Sequence, residues 1–356
     1  MLDNMIPQKV REIEEYTPNT DICKIRLDAN ESPFNPSDEV LNEFKKVVSE
    51  IDFNRYPDPF AKELIESFAK IYKVDPKNVV AGNGSDELIS LICGNLTENE
   101  DTVAVVSPDF SMYEFYSSLA GAQVISFGKD EKFQINFEKL TQVVNEKRSK
   151  IVIFSNPCNP TGALEKRDDI IKFIKNVNAF VIVDEAYMEF SPVNESVLDL
   201  CDKFENLIVL KTTSKAYGAA ALRLGFAISN EEIAKTLRKI KSPYNVNTVS
   251  QIYGKIILNH YHEIEARVRE IKANTVYLRE EIKKIENSSI ETIYETSTNF
   301  VLLKMKTPEL AVALHKKLKE KSIAIRCMAK GGFIRITAGK REEIDELLAK
   351  MREVIL

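Results

Sequence analysis

Short apolar runs alternate with longer amphipathic stretches through the middle of this chain. The polar residues that follow several of those runs repeat one theme of glycine, hydroxyl and charge. Residues 78–81 read as a short strand ending at Gly82-Asn83-Gly84. Ser85 then suits an N-cap, and Leu88, Ile89, Leu91 and Ile92 give the following helix an apolar face. Residues 102–106 predict a buried strand, 111–120 a helix and 122–127 another strand. Further runs at 150–154, 180–183 and 207–210 are separated by helical stretches such as 165–177. This alternation implies βαβ units and an α/β fold: a mostly parallel sheet with helices on both faces. Ligands of such sheets sit beyond the carboxyl ends of the strands. Gly82-Asn83-Gly84-Ser85, the segment 156–162, Asp184-Glu185-Ala186-Tyr187 and Thr212-Thr213-Ser214-Lys215 all fall at such ends, so they point to one site.

The run at 207–210 delivers the hydroxyls of Thr212, Thr213 and Ser214 and one amine, Lys215, into small residues, and Arg223 follows eight positions later. Small neighbours leave room for a flat ligand. Desolvation and a nearby cation both favour a neutral amine, the form that builds a Schiff base. Thr212, Ser214 and Arg223 supply hydroxyl donors and a guanidinium fork suited to phosphate. Asp184 follows three apolar strand residues, where a carboxylate needs a cation or a helix-capping role. In Ser155-Asn156-Pro157-Cys158-Asn159-Pro160-Thr161-Gly162 the prolines restrict the backbone and Asn159 can aim an amide inward.

A chain of 356 residues suits a large domain with a smaller companion. The expected division is 26–245 for the larger and 1–25 with 246–356 for the smaller, the two joined by one long helical stretch over 246–285. Strands at 299–303, 323–326 and 333–337 and a last helix at 341–354 make the smaller part α+β. A formal charge of -5 argues against a nucleic-acid partner. The apolar runs are strand-sized, too short to span a bilayer, and residues 1–16 lack the apolar core of a secretion signal. Five scattered cysteines fit a reducing cytoplasm and argue against a metal cluster or a disulfide framework. Lys211 and Lys241 read as surface charges, and His260, His262 and His315 as solvated helix positions without a role.

Seven segments in order give the chain a resemblance that covers nearly its whole length. They are Leu27-Asp28-Ala29-Asn30-Glu31-Ser32-Pro33, Arg55-Tyr56-Pro57-Asp58-Pro59, Gly82-Asn83-Gly84-Ser85-Asp86-Glu87-Leu88, the segment 156–162, Asp184-Glu185-Ala186-Tyr187, Ser214-Lys215 with Arg223, and Phe333-Ile334-Arg335-Ile336-Thr337. Together they resemble the fold-type I pyridoxal-phosphate aminotransferases, and within them the histidinol-phosphate aminotransferases. The resemblance implies a seven-stranded sheet sandwiched by helices, with pyridoxal 5'-phosphate held by the larger domain.

It also implies roles. Lys215 forms the Schiff base with the cofactor aldehyde and shuttles the proton of the reaction. Asp184 keeps the pyridine nitrogen protonated, Tyr187 and Asn159 bond the ring oxygen, and Phe110 stacks on the ring where many relatives carry tyrosine. Ser85 and Asp86 offer backbone N–H groups to the phosphate, with Thr212, Ser214 and Arg223 completing the cup. Tyr56 reaches that phosphate from a neighbouring subunit, which makes the site that of a homodimer. Arg335 clamps the substrate anion, helped by Arg326 and Tyr16, and Asn30 lines the pocket. Ala221 in place of glycine and Cys158 in place of asparagine depart from the common pattern.

The implied reaction converts glutamate and imidazole-acetol phosphate into 2-oxoglutarate and histidinol phosphate, in histidine biosynthesis. A threonine-phosphate decarboxylase and an aromatic amino acid aminotransferase share the scaffold and stand as alternatives. Relatives of the first commonly carry Ala-Thr where this chain has Ser85-Asp86. A non-catalytic binding protein is a further reading, opposed by the presence of Lys215, Asp184 and Arg335 together.

Overall fold

The computed structural model describes residues 5–11, 13, 22–285 and 289–355. Strand β1 (Ile25–Leu27) comes first. The larger sheet is built from β2 (Val79–Asn83), β3 (Thr102–Ser107), β4 (Gln123–Gly128), β5 (Ile151–Ser155), β6 (Phe180–Asp184), β7 (Leu207–Thr212) and β8 (Leu224–Ile228). Their order is β2-β8-β7-β6-β5-β3-β4. Only β8 runs against its neighbours β2 and β7; the other pairs are parallel. All six residues of β7 and all five of β5 are buried, because helices cover both faces. One face packs Val181, Val183, Val209 and Phe154 against the helices Lys62–Tyr72 and Thr248–Asn259. The other packs Ile182, Ile208 and Leu210 against Gly84–Asn95 and Glu231–Ile240.

β9 (Ile290–Ile293), β10 (Phe300–Met305), β11 (Ile323–Met328) and β12 (Phe333–Thr337) join β1 in a second sheet, ordered β1-β11-β12-β10-β9. Its core lies under the helices Pro308–Glu320 and Arg341–Ile355. The long stretch expected at 246–285 is two helices, Thr248–Asn259 and Tyr261–Lys283, with His260 between them. The His260 ring holds Glu43 at 2.8 Å and keeps only 13% of its side chain exposed, so it is a joint between helices where a solvated position was expected.

Packing also moves the expected boundary at 245/246. Val246, Ile256, Ile264 and Ile271 belong to the larger core, and Leu278 and Ile282 to the smaller. The change of core therefore falls inside Tyr261–Lys283. At the other end, Ile25 joins Leu27 in the smaller core.

Two surface readings are corrected. Lys211, in β7, is 4% exposed, with its ammonium 2.7 Å from Glu189 and 3.4 Å from Glu185. Lys241 is half-buried and donates to the Pro59 carbonyl at 2.9 Å and to Asn245 at 3.0 Å. No helix among the described residues is long and apolar enough to cross a membrane.

Candidate active site

The carboxyl ends of β2, β5, β6 and β7 meet at one edge of the larger sheet, and the antiparallel β8 starts there. Asp184 closes β6 and is 4% exposed. Its Oδ2 accepts the Tyr113 hydroxyl at 2.9 Å and its Oδ1 accepts the Ala186 N–H at 3.0 Å. Burial raises its pKa to about 6, and those two hydrogen bonds only partly counter the burial. Among the described residues no lysine, arginine or histidine pairs with it. Tyr113 stays protonated, since burial and the Asp184 charge both hold its hydroxyl well above the usual range. Phe110 meets Tyr113 edge-on, with ring centroids 5.6 Å apart.

Lys215 lies three residues beyond β7. Its Nζ donates to the Ala29 carbonyl at 3.1 Å and sits 6.0 Å from the centre of the Tyr187 ring. Gly218 gives the turn after the lysine a φ of +62°. A Cβ there would come within 3.0 Å of the Phe34 carbonyl, so the opening segment closes tightly over this loop. Tyr187 is buried, and its hydroxyl accepts Asn30 Nδ2 at 2.9 Å. Asn30 is 1% exposed at φ 54°, held by Thr337 and Asn299. It was expected to line the pocket; it is buried, and its amide donates to the Tyr187 hydroxyl.

The hydroxyl and guanidinium cluster gathers where the phosphate cup was expected. Helix Gly84–Asn95 begins two residues earlier than an N-cap at Ser85 would have it, with Asn83 at the cap position, so Ser85 and Asp86 lie in the first turn. First-turn N–H groups lack intrahelical acceptors and favour anions. A Cβ on Gly225 would fall 2.4 Å from the Gly84 carbonyl carbon, so glycine lets β8 lie flush against the helix start. Arg223 crosses that start, with Nη1 3.4 Å from Ser214 Oγ and Nη2 3.0 Å from Asp86 Oδ2. Thr212 Oγ1 bonds Ser214 Oγ at 3.0 Å. The Asp86 side chain thus holds one arm of the guanidinium, a contact the sequence did not indicate.

The second sheet supplies the opposite wall. Arg335, on β12, donates to Asn159 Oδ1 and, at 2.8 Å, to the Asp28 carbonyl. Asn159 was expected to serve the ring oxygen; its side-chain oxygen accepts from Arg335. The Arg335 guanidinium lies 5.3 Å from the Phe300 ring centre, and Phe300 meets Tyr187 edge-on at 5.5 Å. Arg326 stands directly opposite Arg335 in the β11–β12 ladder, which puts both side chains on one face. Like charges placed so repel unless an anion joins them, and Arg326 makes no ion pair among the described residues. Tyr16 lies outside the described residues. Tyr56 is 81% exposed and stacked on Tyr244 at 4.6 Å, and makes no hydrogen bond to these groups among the described residues.

Residues fit for a flat cationic heterocycle with an aldehyde and a phosphate are therefore together. An uncompensated buried carboxylate, a lysine, a phenol, an aromatic face and an anion cup all border one edge. Sequence reasoning missed Tyr113 and Phe300. The spacing of Tyr113, one helical turn beyond Phe110, is a signal that could have found it.

The sequence profile described as aminotransferase class I and II matches residues 22–351. The histidinol-phosphate aminotransferase of Clostridium novyi is 40% identical over 98% of this chain and 96% of its own. That of Caldanaerobacter subterraneus subsp. tengcongensis is 38% identical over 100% of both. The crystal structure of histidinol-phosphate aminotransferase from Sinorhizobium meliloti, in complex with pyridoxal-5'-phosphate, superposes with a TM-score of 0.90. It covers 98% of this chain and 97% of that one at 22% identity, which bears on the fold.

Proposed function

The chain belongs to the class I and II aminotransferases, and within them to the histidinol-phosphate aminotransferase family; from that premise we propose its reaction and the residues that perform it. It is a transaminase that takes the amino group of glutamate and delivers it to imidazole-acetol phosphate, giving 2-oxoglutarate and histidinol phosphate in histidine biosynthesis. Pyridoxal 5'-phosphate is its cofactor. The observation that carries this reading is Asp184, a buried carboxylate at the end of β6 that, among the described residues, is served by neutral donors alone.

When bound, the cofactor supplies an aldehyde for the amino group and a protonated ring that accepts electrons. Asp184 holds the proton on the ring nitrogen, and Tyr113 fixes the carboxylate's orientation from behind. Lys215 anchors the cofactor and, when released, carries a proton at Nζ to and from the substrate carbon. Tyr187, steadied by Asn30, and the Asn159 amide donate to the ring oxygen. Phe110 covers the ring face and keeps water from it. The first-turn N–H groups of Ser85 and Asp86, with Thr212, Ser214 and Arg223, hold the phosphate. Arg335 binds the carboxylate of glutamate, and Arg326 beside it joins in binding the phosphate of the other substrate.

The functional unit is a homodimer. Tyr56, exposed and stacked on Tyr244, with Phe53 and Phe60 exposed close by in sequence, supports this reading, because a partner would cover exposed aromatics and receive the phenol at its own phosphate cup. All five cysteines are free thiols, which fits a cytoplasmic enzyme.

A half-reaction panel tests the assignment. Glutamate-loaded enzyme should discharge its amino group to imidazole-acetol phosphate faster than to phenylpyruvate, and Lys215→Ala should abolish both turnover and the covalent cofactor adduct. Faster discharge to phenylpyruvate would make it an aromatic amino acid aminotransferase. A fully active alanine variant would refute the mechanism.

A further inference from the structure

Beneath the two loops that carry Phe110 and Asn159 lies a buried charged group that the reaction above does not use. Lys129 follows β4, and its side chain is 1% exposed. Its Nζ donates to Asp109 Oδ2 at 3.3 Å and to Cys158 Sγ at 2.9 Å. The Asp109 side chain is 2% exposed, and the Cys158 residue likewise. Asp109 Oδ1 also accepts the Ser155 hydroxyl and, at 2.8 Å, the Phe110 N–H. Its Oδ2 accepts the Ser155 N–H at 3.2 Å, and Ser155 Oγ in turn accepts the Asn159 N–H at 3.2 Å. One carboxylate thus ties the end of β3 to the end of β5, and one ammonium from the end of β4 fastens it to Cys158. Burial works against the Lys129 charge, but the Asp109 carboxylate outweighs it and holds the ammonium above the ordinary lysine range. Burial keeps the Cys158 thiol protonated.

A buried ion pair is a poor device for stability alone, since apolar residues of similar volume often do as well or better. What this one does is geometric. The residues it fastens are neighbours of the two side chains that bracket the cofactor ring, one over its face and one at its oxygen. We propose that Lys129 is a positioning residue for the cofactor: through Asp109 and Cys158 it fixes the spacing between Phe110 and Asn159 across the ring. The inference rests on the cofactor reading given above.

The test uses Lys129→Met and the neutral pair Asp109→Asn/Lys129→Met. Cofactor affinity is measured by titrating each apoenzyme with pyridoxal 5'-phosphate, ring orientation by visible circular dichroism of the bound cofactor, and stability by Tm. The single variant should bind the cofactor about tenfold more weakly, with an altered visible band, because Asp109 is left charged and unfastened. The neutral pair should recover most of the affinity. Affinity within about twofold of wild type and an unchanged band in Lys129→Met would overturn the proposal. So would a neutral pair that recovers Tm but not affinity. If Lys129→Met does not fold, Lys129→Arg replaces it, keeping the charge but displacing it. Weaker cofactor binding at an unaltered Tm then supports the proposal, and wild-type affinity sinks it. Wild-type protein that binds no cofactor would instead sink the parent reading.

Discussion

Asp184 and Glu185 are consecutive, both acidic and both buried, 4% and 0% exposed, at the end of the same strand. They face opposite sides of the sheet and meet opposite fates. Asp184 receives a tyrosine hydroxyl and a backbone N–H and, among the described residues, no cation. Glu185 receives the Ser196 hydroxyl, the Val197 N–H and, with Glu189, the ammonium of Lys211, over which Tyr72 also lies with its ring centre 5.1 Å away. The Glu185 side is complete as folded. The Asp184 side is complete in every respect but charge, and that deficit is what the proposed cofactor would make good. Burial of a carboxylate does not by itself identify a site; burial with the counter-charge withheld does.

The largest effect that can break this contrast is Asp184→Asn. Turnover should fall on the order of a thousandfold, while Tm of the apoprotein stays level or rises, because an uncompensated charge is removed. Retained activity, or a large fall in Tm, would mean that Asp184 serves the fold. Lys211→Met should do the reverse. It strands two carboxylates and should cost about 3–5 kcal/mol in urea unfolding, with kcat per folded molecule within a few-fold of wild type. A loss of kcat without loss of stability would erase the distinction between the faces.

The pH dependence of apoprotein stability gives a finer and smaller comparison. The folded pKa of Asp184, about 6, lies above its unfolded value, so between roughly pH 4 and 6 the folded chain holds a proton that the unfolded chain has lost. Stability from this group is therefore present at low pH and falls by roughly 3 kcal/mol as pH rises through that window. Glu165, raised by burial to about 7, acts in the same direction. Subtracting the profile of Asp184→Asn from that of wild type isolates the Asp184 share. Lys211 keeps its own charge through that window, because its carboxylate partners outweigh burial and hold the ammonium above the ordinary lysine range, while the Glu185 carboxyl, raised by burial, acts in the same direction as Asp184. A difference profile that rises with pH would reverse the reading.

The sequence made the Asp184 side visible and hid the other. Asp184, Lys215 and Ser85 stand at or just beyond strand ends, where polar residues are conspicuous, whereas Arg335, in the middle of β12, was reached only through the resemblance. Lys211 stands inside a strand whose two faces are both buried, so alternation could not reveal which way it points, and its partners are distant in sequence. Lys129 was silent for the same reason: its companions Asp109 and Cys158 come from two other strand ends. Strand β8 went unread because Leu224-Gly225-Phe226-Ala227-Ile228 is poor in β-branched residues, the glycine being required where the strand touches the helix start. The break at His260 carries no proline or glycine signal. The residue at the break contacts Glu43, on the distant helix Asp38–Val48, a partner that no local pattern contains.

The return strand β8 has a consequence for how this enzyme can vary. Residues 213–223 leave β7 and re-enter the sheet through β8, and the mouth of that loop is sewn shut by Thr213 N–H to the Leu224 carbonyl at 3.0 Å. Lys215 and Arg223 therefore ride on one clamped bow whose length is a fixed dimension. Lengthening it by a single residue would move the amine relative to the guanidinium, whereas the connection after β6, residues 185–206, ends far from the chemistry. Point changes such as Ala221 are tolerable in the bow, but insertions are barred. The bow is accordingly the unit to transplant whole when specificities are recombined between relatives.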